Sequence, residues 1–430
     1  MNISCCTDNN LCLGCGVCED ICPKQAIEIC LDNSEYRPKV NEEVCIGEKC
    51  GRCLKVCPGL GTDLHALEKS LYIGSNINED RYVGYYHSLH TGYSMDGDIR
   101  FHSASGGVVT SFLIFLLEKK YIQGAVVTAF GEDHITPVSY IAKNREEVIA
   151  GRSSKYCPVT LKGIGNLIAN SEGKYVIVGL PCHIQGFRKR AAIDKRFRDR
   201  VMGYFSLYCS SNRTFGARDY LLRKYNIRKE DISYFAFRDN GCLGNLTIKT
   251  HSNFEKKTES PLVGTHSTDC RGFQIPFSQY YGRMLRSFFK PHRCLTCIDH
   301  YGALADVCFG DIHIAPYSED KIGFSSWITR SEYWETLFKQ AVSDGYIYME
   351  DVDVKVLNES QAAMLYPKRL KAKAAMILDK MAGKKVPLYD ISLPSPSVKD
   401  IFAMLICHLQ RFVGRRRNLW FLIDLINRKK

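Results

Sequence analysis

The clearest alternation of apolar and polar residues begins after a polar passage from Gly74 to Asp80. The run RYVGYYHSLHTGYS at 81–94 alternates and predicts a strand. SASGGVVTSFLIFLLEKKYI at 103–122 then sets small residues ahead of an apolar stretch. It predicts a helix that opens after Gly107 and ends near Lys119 and Lys120. GAVVTAF at 124–130 predicts a buried strand, KYVIVGLPCHIQGFRKR at 174–190 a strand running through a turn into a helix, and VMGYFSLYC at 201–209 another strand. Strands and helices alternating at this length predict an α/β or mixed-sheet domain. Toward the N-terminus, AIEICLDNSEYRPKVNEEVC at 26–45 places apolar runs on either side of Asp32, Asn33 and Ser34, the pattern of a hairpin.

That hairpin joins two cysteine runs. CLGCGVCEDICP from Cys12 has the spacing Cys-x2-Cys-x2-Cys-x3-Cys-Pro, with ligand candidates Cys12, Cys15, Cys18 and Cys22. CIGEKCGRCLKVCP from Cys45 repeats it with four residues after the first cysteine, giving Cys45, Cys50, Cys53 and Cys57. Both resemble the runs that hold 4Fe-4S clusters in two-cluster bacterial ferredoxins, where the fourth cysteine of each run serves the other cluster. The resemblance assigns Cys12, Cys15, Cys18 and Cys57 to one cluster and Cys45, Cys50, Cys53 and Cys22 to the other. Two zinc knuckles are the competing reading. Cys5 and Cys6 precede both runs and receive no partner.

Composition narrows the class further. Twenty cysteines in 430 residues, with no secretory pattern at the start and no apolar run of membrane-spanning length, point to a cytoplasmic protein with metal or redox chemistry. Charge is uneven: residues 1–65 carry 6 Lys/Arg against 10 Asp/Glu, whereas residues 361–430 carry 15 against 4. The basic character is largely a property of the tail. No Gly-x-Gly-x-x-Gly follows a strand, and Gly163-Ile-Gly165 lacks both the third glycine and the preceding strand, so a nicotinamide Rossmann site is unsupported.

Further motifs carry a specific resemblance. SASGG at 103–107, Ser154-Lys155-Tyr156, GLPCHIQG at 179–186, Cys209, and Cys294-x2-Cys297 followed by ADVCFGD at 305–311 look like the beta-subunit family of coenzyme F-420 (deazaflavin) hydrogenases and dehydrogenases. The match covers residues 82–330. It implies a flavoprotein, usually with FAD, holding another 4Fe-4S cluster near the flavin. By the same resemblance Ser103, Ser105, Gly106 and Gly107 approach the flavin, where small residues at a helix start also suit a phosphate. An ordinary capped helix would read the same way. Lys155, between Ser154 and Tyr156, is a candidate for flavin phosphates or the N1-C2 carbonyl edge, or else a solvated lysine. Gln185, Gly186, Gly310 and Asp311 complete the flavin set, and Asp306 serves to orient the cluster loop.

For the third cluster the expected ligands are Cys182, Cys209, Cys294 and Cys297, since Cys182 and Cys209 end two neighbouring strands and open sheets bind ligands at that edge. Cys308 and Cys270 stand in reserve. Zinc competes here, because His292 and His300 flank the Cys-x-x-Cys. His183 is a candidate proton relay to substrate or flavin, against a structural histidine.

The expected organisation is a two-cluster ferredoxin domain at 1–65, a linker at 66–81, a mixed-sheet flavin and iron-sulfur domain at 82–360, and a basic helical tail at 361–430. That tail either lies on an anionic membrane surface or packs against the core; nucleic acid, the third reading of its charge, is not expected as a partner because no reading motif accompanies it. The expected function is an iron-sulfur flavoprotein oxidoreductase that passes electrons between 4Fe-4S clusters and FAD. Ferredoxin or reduced deazaflavin serves as partner, and a small organic molecule is the substrate. An electron-transfer subunit of a larger redox complex is the alternative.

Overall fold

A computed structural model describes residues 1–74, 76–251 and 272–428. Cys270, one of the reserve ligands, lies outside them. The ferredoxin segment pairs β1 (Ile27–Asp32) with β2 (Glu35–Val40) antiparallel around Asn33 and Ser34, both with positive φ, so the expected hairpin forms. Two short helices flank it, α1 (Val17–Asp20) and α2 (Arg52–Val56). The segment read as a linker is structured: α3 (Leu64–Tyr72) is followed by β3 (Asn78–Asp80), which pairs with β4 (Gly84–Tyr86). The strand expected at 81–94 is therefore broken at His87, and only β5 (Ser88–Ser94) enters the main sheet.

Among the described residues that sheet has eight strands. To β5 it adds β6 (Gly124–Phe130), β7 (Pro137–Ala142), β8 (Tyr175–Gly179), β9 (Val201–Leu207), β13 (Val307–Asp311), β14 (Ser325–Thr329) and β15 (Ile347–Asp351). Their order is β15-β5-β14-β13-β9-β8-β6-β7. The inner pairs β13 with β9, β9 with β8 and β8 with β6 are parallel, and the outer pairs antiparallel. A second, three-stranded sheet orders β10 (Ile232–Asp239), β11 (Asn245–Thr250) and β12 (Gly272–Pro276).

One face of the main sheet is covered by α4 (Val108–Glu118), which is apolar on nearly every side because it is enclosed. Its Phe112 stacks on Phe338 at 3.8 Å between ring centroids, over Phe205, Phe309 and Trp327. The opposite face carries α5 (Pro181–Ile193), whose Ile184 and Phe187 share a core with Val17 and Val56 of the ferredoxin segment. The two expected domains are thus joined through a continuous core.

Beyond α6 (His292–Leu295) and α7 (Glu332–Ser343), the tail forms α8 (Ala362–Met381), α9 (Val398–Gly414) and α10 (Trp420–Arg428). The tail packs against the core, as one of its two readings expects. Met404, Arg411 and Val413 of α9 and Trp420 and Ile423 of α10 turn inward. Yet Val398, Phe402, Leu405, Leu409 and Phe412, at alternating spacings of four and three, leave a stripe of α9 in solvent. None of the described helices is long and apolar enough to cross a membrane.

Glu335, in the first turn of α7, is buried and accepts hydrogen bonds from Ser88 and His90 of β5. Burial alone would raise its carboxyl, but the His90 and Ser88 bonds carry it down to about 2. A carboxyl depressed on folding stabilises the protein above its unfolded value of about 4.3, and that contribution is lost as pH falls toward the folded value. Glu335→Gln should therefore cost about 1–2 kcal/mol near neutral pH and flatten the loss of stability between about pH 4.5 and 2. Thermal melts across that range check it.

Candidate functional site

Each cysteine run of the ferredoxin segment passes from a loop into a short helix, α1 or α2. Cys12, Cys15, Cys18 and Cys57 line one cavity of about 340 Å³, walled by Ile3, Val17, Ile29 and Val56. Burial pushes the Cys12 and Cys15 thiols up to about 12, and burial with Cys15, Cys12 and Cys57 around it raises Cys18 as well. Cys53 is raised by burial too, with Cys45 and Cys22 adding to the effect. Cys12, Cys15, Cys18 and Cys57 thus share one cavity, while Cys50 is half-buried after a short turn. Cys57 differs, its thiol lowered to about 7 chiefly by the hydrogen bond with Cys6, and iron would take all four sulfurs as thiolates, displacing their protons. Backbone donors are in place: Gly14 N lies 3.4 Å from Cys12 Sγ and Ala26 N 3.3 Å from Cys22 Sγ. Cys6, left without a partner by the spacing, lies with its Sγ 3.6 Å from Cys57 Sγ and lines the same cavity.

The parallel strands β8 and β9 end side by side. Cys182 follows β8 in the first turn of α5, and Cys209 follows β9. Cys294 sits on α6, and the loop after it reaches back, with Cys209 N donating to His300 O at 3.0 Å. Burial is the largest cause raising the Cys182 thiol, and the sulfurs of Cys209, Cys297, Cys294 and Cys15 add to it. The four expected cysteines therefore share one neighbourhood, and it borders the 12/15/18/57 group. Lys368 Nζ donates to Cys209 O and Ser210 O. Burial alone would lower its pKa, but Cys297, Cys209, Asp299 and Cys294 carry it upward. The zinc reading loses His292, whose Nε2 bonds Asp379 at 2.9 Å while its Nδ1 faces Arg411 at 3.0 Å. Cys308 packs in an apolar cluster with Val83 and Tyr301.

Two contacts fix this neighbourhood to the ferredoxin segment. Arg293, fully enclosed beside Cys294, donates to Gly59 O at 2.9 Å and Pro58 O at 3.3 Å, just past Cys57. Lys189 of α5 donates to Cys57 O at 3.2 Å and Gly61 O at 2.6 Å.

The expected flavin residues divide. Ser103, Ser105, Gly106 and Gly107 form the turn into α4, where Gly107 has φ +79° and no side chain caps the helix. Ser103 Oγ is buried with no hydrogen-bond partner among the described residues, and Ser105 Oγ is 2.9 Å from Ser325 Oγ. An uncapped helix start beside an orphaned hydroxyl fits an anionic group. Ser325 faces Asp311 in the β13–β14 register, so Asp311 belongs to this region.

Asp311 is nevertheless engaged by Arg238 Nη1 at 2.6 Å, and an added Cβ on Gly310 would strike the Tyr208 ring. Lys155 is redirected: Nζ donates to the carbonyls of Gly151, Arg152 and Ser153, and burial brings it down to about 7. Neighbouring Ser154 is half-buried, and Tyr156 packs among Phe237, Phe277 and Tyr281.

Gln185 and Gly186 leave the flavin set altogether. Gln185 bridges Thr62 and Asp299, and Gly186 lies against Val17 and Pro58. His183 is buried, its Nδ1 accepts from Leu180 N at 3.3 Å at the start of its own helix, and burial lowers it to about 4. Asp306 accepts from Arg188 at 2.6 Å and Tyr204 N at 2.8 Å, tying β9 to the loop before β13. Arg238 and Lys368 were not anticipated; each is a lone basic residue, one ending a strand and one inside a basic helix, with no motif to mark it.

Comparison with known proteins bears on the whole arrangement. The family model for the coenzyme F-420 hydrogenase/dehydrogenase beta subunit matches in two parts, its N-terminal part at residues 89–164 and its C-terminal part at 172–355. A 4Fe-4S binding domain matches residues 6–28. A coenzyme F-420-dependent sulfite reductase from Methanocaldococcus jannaschii is 32% identical over 349 residues, spanning 78% of this chain but only 46% of that protein. The coenzyme F-420 hydrogenase subunit beta from Methanothermobacter thermautotrophicus is 24% identical over 324 residues, 73% of this chain and 99% of that one. A chain of the F-420-reducing [NiFe] hydrogenase complex from Methanosarcina barkeri shares the fold, with a TM-score of 0.53 at 19% identity over 72% of this chain and 98% of that chain. With both family segments in tandem behind a 4Fe-4S binding domain, the chain belongs to the coenzyme F-420 hydrogenase/dehydrogenase beta-subunit family.

Proposed function

We propose that the chain is an electron-relaying iron-sulfur flavoprotein of an F-420-linked oxidoreductase. Three 4Fe-4S sites would be held by Cys12/15/18/57, Cys22/45/50/53 and Cys182/209/294/297, and FAD would lie at the turn into α4. The observation that supports this reading is that parallel β8 and β9 lead to Cys182 and Cys209 at one end of the sheet, where the loop after Cys297 reaches Cys209 through its His300 carbonyl. When bound, such clusters pass single electrons and a flavin joins these to two-electron steps with protons. Of these twelve cysteines, Cys15, Cys18, Cys53 and Cys57 are buried and the rest half-buried. Lys368 and the Arg293 guanidinium set positive charge against the third group. Ser103, the α4 start and Gly107 offer the donors an anionic part of a flavin requires.

Ferredoxin or reduced deazaflavin would exchange electrons with this chain. A small organic substrate would be reduced or oxidised at the flavin. The names of relatives that are hydrogenase subunits equally favour a chain that hands electrons to another subunit.

Iron and sulfide analysis after anaerobic purification tests the third site. About twelve irons per chain are expected, falling to about eight in Cys182→Ala and Cys209→Ala, and about eight in the parent would overturn it. Ser103→Ala should weaken FAD binding in titrations of the deflavinated protein about tenfold while leaving iron unchanged, the cost of one buried hydrogen bond. Unaltered affinity would remove Ser103 from the site.

The exposed stripe of α9 favours peripheral attachment to an anionic membrane surface. Its apolar side chains are bordered by Lys399, Arg415 and Arg416, with the Arg416 guanidinium 3.6 Å from the Phe412 ring centroid. The protein should cosediment with phosphatidylglycerol vesicles, and Phe402→Ser with Leu409→Ser should reduce this about tenfold or more. If those variants instead break an oligomer and leave sedimentation unaltered, the stripe belongs to a protein interface.

A further inference from the structure

A second cavity, of about 860 Å³ with its mouth, opens where α3, the β3–β4 hairpin, the Ile298–Ala303 loop and α8 meet. Most of its lining comes from segments 64–85 and 365–391, outside the parts matched by the family. Leu64, Val83, Ile298 and Leu365 give it apolar walls.

Its charged groups fall into two kinds. Three carboxylates are already engaged by the protein. Glu68 accepts from Tyr85 N at 2.9 Å and Arg330 at 3.3 Å, Asp80 from Tyr82 N at 2.8 Å and Asn358 at 3.1 Å, and Asp299 from Gln185 at 2.8 Å and Ala303 N at 3.1 Å. A fourth, Glu79, stands exposed at the rim. The cations differ. Arg81 and Arg369 flank Tyr82, with guanidinium carbons 5.6 and 5.9 Å from its ring centroid, and neither makes a hydrogen bond or ion pair with any described residue.

Arg369 is partly buried, and a guanidinium in that position ordinarily has acceptors around it. Burial presses its pKa down and the Arg81 charge adds to that, against the pull of Asp299. Two like charges share a cavity mouth with their donors free.

We propose that this cavity binds a small organic anion, with a carboxylate or phosphate group across Arg81 and Arg369 and its apolar part against Leu64, Val83, Ile298 and Leu365. Guanidinium forks match either oxyanion in a bidentate manner, and an apolar wall with a few convergent charges is the usual make-up of a small-molecule site. The site goes beyond the relay reading and needs no cofactor to form. Its position is still suggestive of use, because the Ile298–His300 wall directly follows Cys297.

Calorimetric titration of the full chain, purified anaerobically, with inorganic phosphate, malonate and neutral malonamide at matched ionic strength tests this. Phosphate or malonate should bind and malonamide should not, and whichever anion binds more tightly identifies the headgroup. Arg369→Gln and Arg81→Gln should each weaken that binding tenfold or more with iron content and melting temperature unaltered, and Arg369→Lys should recover part of it. Arg81 is exposed and makes no contact that the fold needs, so its variant keeps the test valid if Arg369→Gln misfolds. Equal binding by parent and Arg81→Gln, or no response beyond that to malonamide, overturns the proposal.

Discussion

The ion pair between Asp20 and Arg190 sits where the two halves of the molecule meet, and much of the architecture hangs on it. Asp20 lies inside the first cysteine run, between Cys18 and Cys22, and Arg190 lies near the end of α5, two turns after Cys182. Both are almost wholly buried, 3.3 Å apart, and the carboxylate also takes the N–H groups of Gly163 and Gly165. Burial pushes Asp20 up to about 6 against those bonds. A buried charge without its partner costs several kcal/mol, about 3–5 by analogy with other broken buried pairs. The pair thus fastens the first cysteine run to α5 and to the loop before Gly165.

Much of this was legible in the sequence, and the legible parts share a property. Cysteine spacing survives in a linear reading because metal ligation demands fixed local geometry, and the first run lies within the part matched by the 4Fe-4S binding domain. The placement of Cys182 and Cys209 at one sheet edge followed from two apolar strands each leading shortly into a cysteine, and a parallel sheet sets those strand ends side by side. The helix over Val108–Glu118 was marked by its unbroken apolar run and by the glycines before it.

What the sequence hid were the destinations of polar side chains. GLPCHIQG read as a flavin motif, yet within it His183 turns back on Leu180 and Gln185 faces Thr62 and Asp299. Lys155 has a reach that could serve a phosphate, but three carbonyls at the end of the preceding helix lie nearer. Such choices depend on competing acceptors brought by remote segments. For the same reason Arg238, Arg293 and Lys368 carried no local signal. The presumed linker misled differently: polar residues at 74–80 suggested an unstructured joint, whereas α3 and β3 pack into the wall between the two halves.

Gly186 gives the interface a spacing. A side chain there would begin 3.1 Å from Val17 Cγ2, tighter than carbon atoms comfortably allow, so even one methyl group would press α5 away from the ferredoxin segment. Electron tunnelling weakens roughly exponentially with separation, and Val17 stands immediately before Cys18 while Gly186 is one helical turn beyond Cys182. The absence of a single methyl at Gly186 thus sets how closely α5 can lie against the first cysteine run.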